Sequence, residues 1–239
     1  MPVPYKLGTF VKTASPHIIE VLGTTRLDFV CIDAEHAPLD RAMLDLMVMA
    51  ARTTHLQAFV RIAEVNPAVV LSALDIGAAG LLVPHVDSAE QAREVVAMAR
   101  YQGGLRGYSS SPRFAAYGSL GMKEALRIGD QAQAICQIES AAAVDAAQAI
   151  ADVPGVAGLF VGRADLALSM GLDNARDERV AQATREVLVA ARNAGKWAGM
   201  HVSGNAEREQ FAALGANWFI VASDQTLLRQ AAQAIAHTD

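Results

Sequence analysis

Cysteine is nearly absent from this chain of 239 residues: there are two, Cys31 and Cys136. They lie in separate apolar runs and form no CxxC or other metal-ligand spacing, so they read as buried thiols in a reducing compartment, which places the protein in the cytoplasm. Charged residues make up only 19% against 52% hydrophobic, a balance that excludes a disordered chain and supplies a sizeable core. No basic excess exists: 20 Lys and Arg face 25 Asp and Glu, a net charge of −5, which argues against nucleic acid as a partner. The longest apolar runs (FVCI, GLLVP, GVAGLFVG) fall far short of the ~20 residues of a bilayer helix. The segment MPVPYKLGTFVKT has no apolar stretch of secretory type, so no membrane is expected. Neither GxGxxG nor a P-loop occurs, which removes the usual signs of a nucleotide-binding open sheet. Linkers and low-complexity tracts are missing too, and a single domain follows.

Short, continuously apolar runs alternate with longer segments of helical period. The runs are 7–11, 28–33, 57–62, 80–85, 134–139, 158–162, 197–202 and 217–222. Continuous rather than alternating hydrophobicity is the mark of parallel strands covered on both faces. Amphipathic stretches lie between them, among them 39–53, 87–101 and 178–195, the last ending at Gly195 as a helix should. Eight strand–helix units of about 30 residues predict an α/β fold, a single (β/α)8 TIM barrel over 1–239. The longest interruption, QGGLRGYSSSPRFAAYG (102–118), is long enough to be functional or a surface excursion.

In such a barrel the reactive groups leave the carboxyl ends of the strands. There the sequence offers Asp33, then Glu35 and His36; Arg61; Gln137 and Glu139; and Gly162, Arg163, Ala164 and Asp165. Glu139 and Asp165 leave consecutive strands, ~5 Å apart in a parallel sheet. Two carboxylates so close need a cation between them or a proton on one, and oxygen ligands without cysteine favour a hard ion, Mg2+ or Mn2+, with Co2+ also admitted. The alternative for each is a helix N-cap. Arg61, planted at the mouth, suits an oxyanion such as a carboxylate or enolate, or a salt bridge to Asp33, or both. His36 sits where an imidazole titrates usefully. His85 and His201 follow strands and are weak candidates; His17, His55 and His237 have no such placement. Asp75 closes a helix where the dipole gives no reason for an acid, and is read as a partner of His36. Lys6, Lys12, Lys123 and Lys196 are assigned away from the mouth, leaving a Schiff-base route without a nucleophile.

Taken together, DFVCIDAEHAP (28–38), FVRI around Arg61, LDIGAAGLLVP (74–84), QIES (137–140) and GLFVGRADL (158–166) resemble the HpcH/HpaI aldolase family, in order over essentially the whole chain. The resemblance implies a class II, metal-dependent pyruvate aldolase of aromatic or sugar-acid catabolism. This is a lyase that splits a 4-hydroxy-2-oxo acid into pyruvate, or hydroxypyruvate, and an aldehyde through an enolate. It assigns the divalent metal to Glu139 and Asp165, and contacts with the oxo acid to Gln137, Gly162 and the Ala164 backbone. Acid–base work falls to His36 with Asp75, enolate stabilisation to Arg61, and orientation of both neighbourhoods to Asp33. It further implies a hexamer in which the last helix, 224–236, is exchanged between subunits.

Two departures stand out. GRADL puts Arg163 where the family often has proline, a cation that would bind a far carboxylate or hydroxyl of the substrate or pair with an acidic neighbour. LRGYSSSPRFAAYG (105–118) replaces the usual RGVG and would alter acceptor preference if it shapes the aldehyde pocket. The alternatives kept open are a related C–C lyase acting on a CoA ester, for which no extra domain is visible, and a non-catalytic oxo-acid-binding member.

Overall fold

The structure, a computed structural model, describes residues 5–236; His237 lies outside the described residues. Eight parallel strands close a barrel in chain order: β1 (Lys6–Val11), β2 (Phe29–Asp33), β3 (Gln57–Arg61), β4 (Gly80–Val83), β5 (Gln133–Ile138), β6 (Val156–Val161), β7 (Trp197–Val202) and β8 (Trp218–Ser223). Each apolar run expected to be a strand coincides with one, its ends moved by two residues or fewer. The helices are α1 (Pro16–Leu22), α2 (Arg41–Arg52), α3 (Pro67–Asp75), α4 (Ala89–Ala99), α5 (Met122–Gly129), α6 (Ala141–Asp145), α7 (Ala147–Ala151), α8 (Arg163–Ser169), α9 (Glu178–Asn193), α10 (Asn205–Ala213) and α11 (Asp224–Ala236). Local chemistry starts them: the Asp40, Ser88 and Ser140 side chains accept from Met43, Gln91 and Ala143 N–H, and Asn66 caps α3 ahead of Pro67. Gly195, at φ +67°, ends the α9 segment in the left-handed region where a glycine costs least.

The period of two along each strand decides where the chemistry lies. One parity points into the barrel and builds an interior of Phe10, Phe29, Cys31, Phe59, Leu82, Ile135, Phe160, Trp218 and Ile220. Trp218 stacks on Phe29 with centroids 4.1 Å apart. The other parity (Val30, Ile32, Val60, Leu81, Val83, Cys136, Ile138, Leu159, Val161) packs against the helices. The two thiols thus sit on opposite sides of the sheet. Burial pushes the Cys31 thiol up, and that of Cys136 up to about 12, so neither is a ready nucleophile. Counting on by two from the inward residues, Phe29 and Cys31 lead to Asp33, Phe59 to Arg61, and Ile135 to Gln137 and Glu139. The interior therefore turns polar at its carboxyl end.

Two expectations about placement need correction. The 102–118 interruption, which contains a 3-10 helix at Arg113–Gly118, follows α4, and a helix returning from the mouth ends at the amino end of the strands. Its residues accordingly pack there: Arg106 hydrogen-bonds the Gly129 carbonyl just ahead of β5, and Arg113 lies beside Gly77 just ahead of β4. Within one chain it does not line the mouth. The rule of one helix per strand also fails, since two helices, α4 and α5, follow β4, two short helices follow β5 and two helices follow β6. The last helix, α11, begins at the buried Asp224, but every residue from Leu227 to Ala236 is exposed, including Leu228 at 70%.

Candidate active site

Asp33 is the centre of the mouth. Its side chain is fully buried, and Oδ1 accepts from Arg61 Nε (2.9 Å) and from the Glu35 and His36 N–H groups (3.3 and 3.2 Å). Oδ2 accepts from Arg61 Nη2 at 2.7 Å and lies 3.1 Å from Lys12 Nζ. Burial alone would raise this carboxyl, but the Arg61 guanidinium, the His36 N–H and Lys12 together hold it below the usual aspartate value. One carboxylate therefore fixes the arginine and the turn that carries His36. Arg61, buried over the Phe10 ring with its centroid 4.6 Å away, spends Nε and Nη2 on Asp33; Nη1 has no partner among the described residues. Both expectations for Arg61 are thus open to it together, a salt bridge on one edge and an oxyanion on the other.

Neither metal-candidate carboxylate caps a helix. Ser140 caps α6 and leaves Glu139 free, while the cap position of α8 is Gly162, leaving Asp165 with no hydrogen bond or ion pair among the described residues. Glu139 is buried; its Oε1 accepts the His85 N–H at 2.7 Å and lies 3.0 Å from His85 Nδ1, and its Oε2 accepts from the Gln137 amide. Gln137 Oε1 is buried without a partner. Gly162 lets the backbone cradle both side chains closely: a Cβ there would lie 2.8 Å from Glu139 Oε2 and 3.1 Å from Gln137 Nε2. Gly162→Ala is therefore expected to weaken ligand binding on the order of 10–100-fold, measured by calorimetry, while far-ultraviolet circular dichroism stays unchanged. Intact binding in the alanine variant would remove this cradle from the site.

The mouth opens into a cavity of about 300 Å3 lined by Phe10, His36, Arg61, Gln137, Phe160 and the segment Val161–Asp165, and closed by Ala175, Arg176 and His201. The structure thus brings His36, Arg61, Gln137, Gly162, Arg163, Ala164 and Asp165 onto one cavity, with Asp33 and Glu139 directly behind. Arg163 is engaged by an acidic neighbour, its Nη1 2.8 Å from Glu207 Oε1 and its Nη2 donating to the His201 carbonyl at 3.0 Å. Burial works to raise Glu207, but Arg163 and Ser203 outweigh it and keep the carboxyl low.

Asp75 is not among them. It is the last residue of α3, which runs from mouth to base, so it lies at the opposite end of the barrel, where Oδ1 accepts from Arg106 Nη2 at 3.1 Å. No contact joins it to His36 among the described residues. The imidazole is instead near Glu35, with Nε2 3.6 Å from Glu35 Oε2. Glu35 also reaches Arg61 Nε (3.2 Å) and His85 Nε2 (3.5 Å), and burial pushes its carboxyl up by more than Arg61 and His36 draw it down.

Four residues of the mouth were undervalued in the sequence. Lys12 directly follows β1 and its Nζ reaches Asp33, so a lysine does stand at the mouth. The Schiff-base route is not excluded by lysine placement. What weighs against it is that Nζ is spent on Asp33, whereas a nucleophilic amine needs its lone pair free. His85 adopts φ +57°, in the left-handed region uncommon for residues other than glycine, and turns both its N–H and Nδ1 onto Glu139. His201 stacks on Phe10 at 6.2 Å, and its imidazole is held low, first by loss of solvent and then by Arg163. Glu35 is the fourth. The rule that selected His36, a polar group just beyond an apolar run, had already named Glu35 without giving it a role, and would have found Lys12 as well.

Comparison with known proteins bears on the chain as a whole. The family model of the HpcH/HpaI aldolase/citrate lyase family matches residues 6–231. The chain is 36% identical over 233 residues to a 5-keto-4-deoxy-D-glucarate aldolase of Klebsiella pneumoniae subsp. pneumoniae, covering 97% of this chain and 91% of that one. It is 34% identical over 229 residues to a hydroxypyruvate/pyruvate aldolase of Roseovarius nubinhibens, covering 95% and 89%. The solved structure of an HpcH/HpaI aldolase/citrate lyase family protein from Burkholderia cenocepacia J2315 superposes with a TM-score of 0.91 at 34% identity, over 98% of this chain and 94% of that chain. With the barrel and nearly the full length in common, this chain belongs to the HpcH/HpaI aldolase/citrate lyase family.

Proposed function

We propose that the protein is a carbon–carbon lyase that reversibly cleaves a 4-hydroxy-2-oxo acid to pyruvate, or hydroxypyruvate, and an aldehyde, with a divalent cation. The observation that carries this reading is the presence at the barrel mouth of two uncapped carboxylates, Glu139 and Asp165, with the close backbone approach at Gly162 and the unpartnered Gln137 Oε1. The aldolase names of relatives about 35% identical over nearly the whole chain support it.

These residues fit a hard ion. Among the described residues no group of three or more His, Cys, Asp and Glu side chains is placed to hold a metal. Two carboxylates would leave the remaining positions to water and a chelating 2-oxo acid, as Mg2+ or Mn2+ prefers. When bound, the ion supplies Lewis-acid polarisation of the 2-oxo group. The chain does the rest. Gln137 and the Gly162–Ala164 backbone orient the oxo acid, and the free Nη1 edge of Arg61 faces negative charge that develops as the C–C bond breaks. His36, half-exposed at the cavity, takes the proton of the substrate hydroxyl and returns it in synthesis. Asp33 keeps Arg61 and His36 in register, and the Phe10 and Phe160 rings cover the carbon chain.

The test needs no knowledge of the aldehyde, because enolisation is common to every substrate of this kind. Pyruvate in D2O is followed by NMR with protein and Mg2+ or Mn2+. Exchange of the C3 protons is expected with either ion and is expected to stop on adding EDTA. Folded protein that exchanges none of them with any divalent ion overturns the reading.

The same reading makes the protein a cytoplasmic homo-oligomer, a hexamer by family resemblance. The exposed run of α11, with Leu227 and Leu228 facing outward, supports exchange of that helix between subunits. A chain ending at Asp224 is expected to fall to a smaller assembly in light scattering; an unchanged mass would sink the exchange.

A further inference from the structure

Arg163 is held by a different part of the fold from the one that carries it. It is the first residue of α8, yet its guanidinium is taken up by β7 and α10. Nη1 lies 2.8 Å from Glu207 Oε1, Nη2 donates to the His201 carbonyl at 3.0 Å, and Cζ stands 5.2 Å from the centroid of the Phe211 ring. Glu207 is itself fixed, its Oε2 accepting from the Ser203 N–H at 2.7 Å and from Ser203 Oγ at 2.9 Å. Two positions after Arg163, on the same turn of α8, is Asp165, which lines the same cavity and has no hydrogen bond or ion pair among the described residues. An arginine can bridge that interval: at the start of α9, Asp177 and Arg179, also two apart, pair at 3.1 Å. Of the other arginines on the cavity, Arg61 pairs with Asp33 and Arg176 stands on the connection after α8. The arginine on the turn of Asp165 is thus the one that an acid from a distant helix draws aside.

We infer that Glu207 is a positioning residue for the cation site: it holds Arg163 away from Asp165, so that the Asp165 carboxylate stays open to a divalent cation. This rests on the metal-dependent lyase reading above. Glu207 is not among the residues that line the cavity, so it acts through Arg163. A guanidinium released from Glu207 would oppose the ion twice, by offering Asp165 a charge-assisted hydrogen-bond partner and by adding a positive charge to the cavity.

The test is Mn2+ binding without substrate, followed by the electron paramagnetic resonance signal of the free ion. Glu207→Ala is expected to weaken binding by about 10- to 100-fold, with the circular dichroism spectrum unchanged. Removing the released cation as well, in the double variant Glu207→Ala with Arg163→Ala, is expected to recover most of that loss. A clasp that merely braced the β7–α10 turn would give no such recovery. Glu207→Gln, which keeps an oxygen for Ser203 and so the shape of the turn, is expected to fall in the same direction by less and to be rescued in the same way. Wild-type affinity in Glu207→Ala, or a double variant as weak as Glu207→Ala, overturns the inference and leaves the lyase reading standing. Wild-type protein that binds no Mn2+ sinks the cation of that reading and this inference with it.

Discussion

Asp33→Ala is expected to cost about 3–5 kcal/mol of stability, because it strands the buried Arg61 guanidinium without its bidentate partner. For a chain of this length that is a fall in Tm of roughly 10 °C. Activity should fall further in proportion, by about 100-fold or more, since the turn carrying His36 loses its anchor and Arg61 its orientation. Acid sensitivity supplies a second readout. The folded carboxyl titrates below the ordinary aspartate value of 3.8, so the pair's contribution is complete above that pH and is lost as pH falls through the lower folded value. Asp33→Asn should therefore weaken the dependence of stability on pH below about 4. Calorimetric scans from pH 2 to 7 measure both effects, and a loss under about 1 kcal/mol in the alanine variant would contradict the central place given to Asp33.

Glu139→Gln removes a charge with almost no change of shape. In the proposed site that charge is half of what holds the cation, so pyruvate exchange is expected to fall by a factor on the order of 1,000 or more. The fold should tolerate the amide, because its carbonyl oxygen can still accept the His85 N–H. Glu139→Ala would be a poorer probe, as it leaves that N–H and the Gln137 amide facing a void. Exchange within tenfold of wild type in a folded Glu139→Gln protein would mean that the ion, if used, is held elsewhere.

The barrel was legible because its eight strands are buried on both faces and so read as unbroken apolar runs. The upper layer of the mouth was legible for a related reason: Asp33, Arg61 and Gln137 are the first inward positions at which the runs turn polar. Asp75 lies away from its own chain's mouth because a helix end is not a strand end. An acid there has no dipole to satisfy, but the helix returns it to the far end, where Arg106 answers it. Segment 102–118 was recognised as unusual by length and composition, yet its end of the barrel depends on the direction of α4, which periodicity does not carry. The contact of His85 with Glu139 rests on a left-handed backbone that histidine does not advertise. The engagement of Arg163 depends on Glu207, forty-four positions later, and no local pattern joins the two.

The meeting of β1 and β8 carries one more consequence. Ala222, at φ +55°, makes an irregularity that shifts the register between them, and the chain just beyond it delivers Asp224 to the Lys12 and Thr13 N–H groups at 2.9 and 3.0 Å. Thr9 Oγ1 donates across the same seam to the Val221 carbonyl, 212 positions away. These bonds have nearly the greatest sequence separation the chain allows, so the loop they close is the most expensive in conformational entropy. The turn that brings Lys12 to Asp33 is thus fixed by the last strand in the chain, β8, and the residue just beyond it. During refolding, recovery of ligand binding becomes a clock for ring closure, trailing the helical signal that α2, α4 and α9 give early.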